Sequence, residues 1–449
     1  MIKKLLLTFL LFSTFSYAQF SVKGELKPTE DFPYMILYQL QGSQQNYIAY
    51  DSIKNGKFSI RIPQDKESGM YRLIYDIKNR LFVDFIYDNE NVSLSLDPKN
   101  PKESVKFTES DNNKIYRDYL NKTYSIQQKI DSLQVLYFSA NEIANSFDLT
   151  EKYQETKKFL RKNQQAFEQK AVGKLASNFI KANARYNTDS PIKAPMNYLK
   201  SVKDHFFDNI NLKNKALLNS SFINDKINDF IFYLSNSDDG AQLIKLRKEA
   251  ITIVLDKIGS DYNLAKDIQE GLLNTFTQQQ DITMVNYVLN YYLQLPREYQ
   301  DVGFVNDIKG QLKTAVGMKV PNISWIENGS PIDLHNLLGY DNYIIVFWSS
   351  TCPHCLQEMP VLYDYFKDNT QARVIAVGLE DNTSKTGWQK MITEYPKFSH
   401  VLGENKWKNK YAREYGINAT PSFLVLDSKK KVLAKPDDVA ELKVFFKRP

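Results

Sequence analysis

The spacing of apolar and polar positions changes character twice along the chain. Short alternating segments recur at 20–26, 34–40, 47–53, 57–62, 71–76, 81–87 and 92–96, separated by turn residues. This period of two is that of half-buried strands, and residues 19–108 are predicted to form an all-β sandwich or partly open barrel. Asn55-Gly56, with alternating apolar positions on both sides, predicts a hairpin turn. Tyr71, Tyr75, Phe82 and Phe85 either fill its core or line a ligand groove.

Between residues 109 and 317 the period becomes helical. Phe222, Ile223, Ile227, Phe230, Ile231 and Leu234 share one helical face, as do Leu243, Leu246, Ala250, Val254 and Ile258. Further helical stretches run over 112–137, 150–184, 196–210 and 264–293, and Asp238 is placed to cap the helix that follows it. No repeat of constant period occurs, so a solenoid is not supported. The region reads as an all-α domain, either a spacer or a platform for its neighbour.

From residue 318 to 449 strands alternate with helices. Strands are predicted at 343–348, 374–377, 398–402, 422–426 and 432–434, and helices at 353–367, 384–395, 406–415 and 438–446. A hairpin around Asn328-Gly329 precedes them. The pattern predicts an α/β domain with a mixed sheet covered on both faces. Lys429–Lys431, between the last two strands, reads as a solvated turn.

Composition adds limits. A hydrophobic fraction of 43% supports packed cores, and the formal charge of +6 comes from scattered residues, which gives nucleic-acid binding no support. Lys3 and Lys4, an apolar run from Leu5 to Phe15, and Ser16-Tyr17-Ala18 read as a signal peptide over residues 1–18. No cysteine follows at the cleavage point, and no later stretch approaches the roughly 20 apolar residues of a membrane helix. The expected product is soluble after signal peptide cleavage and periplasmic, in the cell envelope, or otherwise exported.

Cys352 and Cys355 are the only cysteines. Ile344–Trp348 reads as a buried strand, a polar turn follows, and a helix opens at Cys352 with Pro353 in its first turn. At i and i+3 the two cysteines share a helical face within disulfide reach. Backbone N–H groups and the helix dipole stabilise a thiolate at that end, and His354 can add charge or a hydrogen bond. Cys352 is therefore expected to attack and Cys355, one turn deeper, to resolve. As a structural staple so short a loop would constrain the unfolded chain little.

The run from Phe347 to Pro360, Phe-Trp-Ser-Ser-Thr-Cys-Pro-His-Cys-Leu-Gln-Glu-Met-Pro, resembles the active site of thioredoxin-fold proteins. Its Cys-x-x-Cys-x-x-Glu-x-Pro form is similar to the TlpA/ResA branch of extracytoplasmic thiol-disulfide oxidoreductases. A second signature follows at Ile417-Asn-Ala-Thr-Pro-Ser-Phe-Leu-Val-Leu-Asp427. The resemblance implies a cis-proline at Pro421, a substrate groove shaped by Thr420 and Pro421 with Trp348 beneath it, and Glu358 as proton partner of Cys355. Val346 stands where many thioredoxins carry a buried aspartate, and Thr351 where a tryptophan often precedes the first cysteine. Pro353-His354 is similar to oxidising members and Thr420 to reducing or isomerising ones, which leaves the direction of electron flow open. Asp51–Ile60 resembles an N-terminal domain of unknown function that precedes thioredoxin domains in exported proteins.

What the resemblance implies is an exported oxidoreductase acting on cysteine-containing proteins and reset by a membrane-bound redox partner, with no bound cofactor or metal. Two other readings stay open. One is an envelope ligand- or protein-binding module with a minor redox domain. The other is a peroxiredoxin-like peroxidase, although Trp348-Ser-Ser-Thr before Cys352 lacks the Pro-x-x-x-Thr-x-x spacing. A metal site would need about four ligands, more than Cys352, His354 and Cys355 supply. His205, His335 and His400 carry no motif.

Overall fold

The computed structural model describes residues 20–447 apart from 30–31, 141–142 and 371, so the expected signal peptide lies outside the described residues. The chain divides into two compact units, Met1–Gly259 and Ser260–Pro449.

The first unit begins with eight strands, β1 (Ser21–Leu26), β2 (Tyr34–Gln41), β3 (Gln44–Ser52), β4 (Lys57–Arg61), β5 (Gly69–Asp76), β6 (Leu81–Tyr87), β7 (Val92–Leu96) and β8 (Lys106–Phe107). They form two sheets, β4-β1-β7-β8 and β3-β2-β5-β6. Alternate side chains of both sheets, among them Val22, Ile60, Leu94, Leu37, Leu73 and Phe85, build one buried cluster, which is the expected sandwich. Each large apolar side chain so enclosed contributes about 1.5–3 kcal/mol. Tyr71, Tyr75 and Phe85 are core residues, while Phe82 is half-buried under the Arg72 guanidinium at 3.8 Å.

The Asn55-Gly56 turn forms with both residues at positive φ, 51° and 75°, but it does not make the predicted hairpin. A single rung, Lys54 to Lys57, closes it, and the flanking strands then part into different sheets. Strand β4 pairs instead with β1, where Phe58 faces Gly24 and its ring lies within 2.4 Å of where a Cβ on Gly24 would be.

A short helix, α1 (Pro101–Ser104), lies between β7 and β8, and after β8 come α2 (Asp111–Ser139), α3 (Ile143–Lys170), α4 (Ala176–Ala182), α5 (Pro195–Asp204), α6 (Lys215–Leu218), α7 (Phe222–Asn228) and α8 (Gly240–Ile258). The stretch expected over 150–184 is broken between α3 and α4, where Gly173 takes a left-handed φ of 75°. The α8 cap is Asp239, which accepts from Gln242 N–H at 2.7 Å, and not Asp238. The Asn113 side chain of α2 exchanges two 2.7 Å hydrogen bonds with the Ile86 backbone and pins the helix to β6.

In the second unit α9 (Tyr262–Gln278) and α10 (Ile282–Tyr292) replace the single stretch expected over 264–293. Gln280 at φ 56° breaks it, and Asp281 caps the new helix through Met284 N–H. After α11 (Val302–Lys313) comes the hairpin of β9 (Ser324–Glu327) and β10 (Ser330–Asp333), turning at Asn328-Gly329 as expected. A five-stranded mixed sheet follows, in the order β13-β12-β11-β14-β15. Its strands are β11 (Asn342–Trp348), β12 (Ala372–Glu380), β13 (Ser399–Glu404), β14 (Ser422–Asp427) and β15 (Val432–Ala434). Its helices are α12 (Pro353–Phe366), α13 (Lys385–Met391), α14 (Lys410–Glu414) and α15 (Val439–Lys447).

Strand β11 is buried on both faces. Ile344, Val346 and Trp348 belong to one core with Cys355, Met359 and Leu362 of α12, while Tyr343, Ile345 and Phe347 join another with Ala412 and Tyr415. Helix α11 packs on this domain where two glycines meet. A Cβ on Gly310 would lie 2.6 Å from Gly416 N, and the buried Thr314 hydroxyl donates to Tyr415 O at 3.1 Å. Lys430 departs from the expected solvated turn. Its side chain is buried, with Nζ donating to Leu337 O at 2.7 Å and Ser428 O at 2.8 Å, and lying 3.9 Å from the centre of the Tyr343 ring. A left-handed φ of 65° at Lys430 turns it inward, and two carbonyls with an aromatic face replace the water it loses.

Candidate active site

The end of β11 and the start of α12 set the geometry. Cys352 is the N-cap of α12 and its sulfur accepts from Cys355 N–H at 3.3 Å, so a sulfur occupies the place where a serine or aspartate oxygen usually satisfies the first turn. Pro353 fills the first helical position, where its missing N–H costs nothing. Cys352 is partly exposed and Cys355 fully buried, and both are free thiols.

Across the site the Thr420–Pro421 peptide is cis, and the Cys352 thiol donates to Thr420 O at 3.2 Å. The Thr420 side chain favours the thiolate form of both cysteines. Burial pushes the Cys352 thiol up, but hydrogen bonds from Cys355, Thr420 and the His354 N–H outweigh it and hold Cys352 below an ordinary thiol. Burial pushes Cys355 up as well, and here it prevails, to about 12; its bond with Cys352 adds to the rise while the Ser349 backbone and Thr420 oppose it. The two thiols thus differ in exposure and in proton affinity, the asymmetry that separates an attacking thiol from a resolving one.

The other expected site residues fall around this pair. His354 reaches Cys352 through its backbone N–H, and its ring is exposed. Thr420 and Pro421 are half-buried beside Cys352. Trp348 is fully buried and packs edge-on against Tyr395 at 6.3 Å, so it supports the site from below and offers no surface to a groove. The Glu358 carboxylate accepts from Val439 N–H at 2.8 Å, at the start of α15.

One carboxylate was missed by the sequence reading. Glu380 ends β12 with no exposed surface, accepts from Ser350 N–H at 2.6 Å and lies 3.4 Å from the Ser349 hydroxyl. The signal was its place at the end of the long apolar run from Val374 to Leu379, on a strand with neighbours on both sides.

Residues 340–432 match the family model described as thioredoxin-like, and residues 20–116 match one described as a domain of unknown function (DUF4369). No curated protein matches the chain. Among solved structures, a domain of a possible thiol-disulfide isomerase from Cytophaga hutchinsonii is 30% identical over 29% of this chain and 90% of that one, with a TM-score of 0.25. The thioredoxin domain of a thiol-disulfide oxidoreductase from Bacteroides vulgatus is 25% identical over 30% and 99%, with a TM-score of 0.25. A thioredoxin-like protein from Bacteroides caccae is 17% identical over 58% and 96%, with a TM-score of 0.37.

Proposed function

We propose, for a chain whose C-terminal part belongs to the thioredoxin-like family, that it is an exported thiol-disulfide oxidoreductase working through Cys352 and Cys355. The observation that carries this reading is the sulfur cap. Cys352 holds its sulfur against the Cys355 N–H at the start of α12, and with the His354 N–H and the Thr420 side chain this favours its thiolate in the partly exposed position where a partner can reach it.

The proposed cycle needs nothing but cysteines. The Cys352 thiolate attacks a disulfide of a partner protein, forming a mixed disulfide and expelling one partner thiolate. Cys355 gives up its proton, attacks the Cys352 sulfur and expels the second. The partner gains two electrons, and the protein keeps an internal disulfide; run backwards, the same steps oxidise a partner dithiol. Glu358, one helical turn beyond Cys355 on the same face, is the proposed proton partner. Thr420 and Pro421 offer backbone to an extended substrate. A membrane-bound redox protein is the proposed resetting partner.

The test is capture. Cys355→Ser should accumulate partner proteins disulfide-bonded to Cys352 in cells, and an empty trap would sink the oxidoreductase reading. Direction follows from the reduction potential of the pair. A value of roughly −270 mV marks a reductase and one of about −120 mV an oxidase.

A cavity of about 660 Å³ in the first unit favours the second reading, a binding module. Tyr119, Tyr124, Gln127 and Asn187 line it together with Arg161 and Lys226, neither of which takes part in an ion pair among the described residues. Full biological activity in a Cys352→Ser, Cys355→Ser variant would decide for that reading.

A further inference from the structure

Glu380 lies outside the motifs of the site, yet its carboxylate is enclosed beneath the loop that delivers Cys352. Its nearest charged neighbours are turned elsewhere. Glu404, opposite it on β13, is paired with Lys385 at 2.7 Å, and the next residue, Asp381, is paired with Lys406 at 2.7 Å. Among the described residues no cation forms an ion pair with Glu380. Its hydrogen bonds are to the loop itself, Ser350 N–H at 2.6 Å and the Ser349 hydroxyl at 3.4 Å. A buried carboxylate without a cation is expensive, and every donor it does have constrains the backbone that supplies it.

The loop so held faces both cysteines. Ser349 O accepts from Cys352 N–H at 3.1 Å and the Ser349 hydroxyl accepts from Thr351 N–H at 3.3 Å, and hydrogen bonding from the Ser349 backbone favours the Cys355 thiolate. We propose that Glu380 is a positioning residue for the resolving step, fixing the 349–351 loop so that Ser349 N–H meets the Cys355 sulfur as that thiol becomes a thiolate. This rests on the dithiol reading above. Burial of Cys355 disfavours its anion, so an N–H held in place to receive it acts in the step where Cys355 attacks and not in the first attack by the capped Cys352.

The two steps can be watched separately with dithiobis(nitrobenzoate), an aromatic disulfide, and the full-length protein. The Cys352 thiolate attacks the reagent and releases one coloured thiolate; Cys355 then loses its proton to solvent, attacks the Cys352 sulfur, forms the internal disulfide and releases the second. Glu380→Ala should leave the first release unchanged and slow the second by about tenfold or more, the usual consequence of losing a hydrogen bond to a charged group. Glu380→Gln, which keeps an oxygen for Ser350 N–H, should restore the second rate. Glu380→Asp, which keeps the charge but withdraws the oxygen by one methylene, should not, and it serves as the test if the alanine variant does not fold. An unchanged second release in Glu380→Ala or Glu380→Asp, or equal slowing of both releases, overturns the proposal. A wild-type protein that releases only one equivalent overturns the dithiol reading itself.

Discussion

Glu358 and Val439 are 81 residues apart, and the carboxylate of the first accepts the backbone N–H of the second at 2.8 Å, on the first turn of α15. Asp438 already serves that turn through Glu441 N–H at 2.8 Å, so Glu358 adds a second carboxylate at the positive end of the helix and ties α12 to α15. Glu358→Ala is expected to cost about 1 kcal/mol of stability in a denaturant melt. Glu358→Gln retains an oxygen for Val439 and should restore stability, while removing the proton-exchanging group and slowing the attack of Cys355. If Glu358→Gln resolves mixed disulfides at the wild-type rate, the proton-partner role is removed and helix docking remains.

The Thr420 side chain lowers the proton affinity of both cysteines. Thr420→Val removes the hydroxyl and keeps the shape, so the pKa of Cys352 should rise toward that of an ordinary thiol. Alkylation of Cys352 by iodoacetamide should then be about two- to tenfold slower near neutral pH and recover at higher pH. An unshifted pH midpoint would show that the backbone N–H groups act alone.

Gly310 leaves no room for a side chain. A Cβ there would meet Gly416 N at 2.6 Å and Arg413 O at 2.7 Å, both backbone atoms that cannot swing aside. Gly310→Ala should lower the stability of the second unit by about 1–3 kcal/mol and separate α11 from α14, readable as faster amide exchange at Thr314.

His400 gives the fold a pH dependence of known sign. Burial holds its pKa below the usual value, while Nε2–H donates to Tyr395 O at 2.9 Å and Nδ1 is buried without a partner. The neutral ring is therefore the folded form. Its contribution is complete above the unfolded value of about 6.5 and is lost as the pH falls below it, because the unfolded chain then binds a proton that the folded one refuses. Stability should decline on acidification from pH 7 to 5. His400→Gln, which keeps a donor for Tyr395, should flatten that decline in thermal melts at stepped pH.

Elements whose signal is local were legible in the residues. The strands of the sandwich, the Asn328-Gly329 hairpin and the cysteine-opened helix follow from periodicity and turn chemistry within a few residues. What was not legible depended on partners far along the chain. Asn55-Gly56 specifies its turn, but β4 pairs with β1, more than thirty residues back along the chain. Three adjacent lysines look solvated until the carbonyl of Leu337 and the ring of Tyr343 are brought beside the middle one. Glu380 ends an apolar run, and its tie to Ser350 exists only because β11 and β12 lie side by side. The two helices at 262–292 read as one stretch because the break between them is a left-handed φ at Gln280, a residue type that does not announce it.

The enclosure of Lys430 makes it an internal reporter. An amine held by two carbonyls and covered by a ring is shielded from acylating reagents, whereas the flanking Lys429 and Lys431 are exposed. In a labelling experiment followed by mass spectrometry, the neighbours would react at once, and Lys430 only in molecules whose terminal hairpin has opened. The lag between them would clock the breathing of the sheet edge in the native protein.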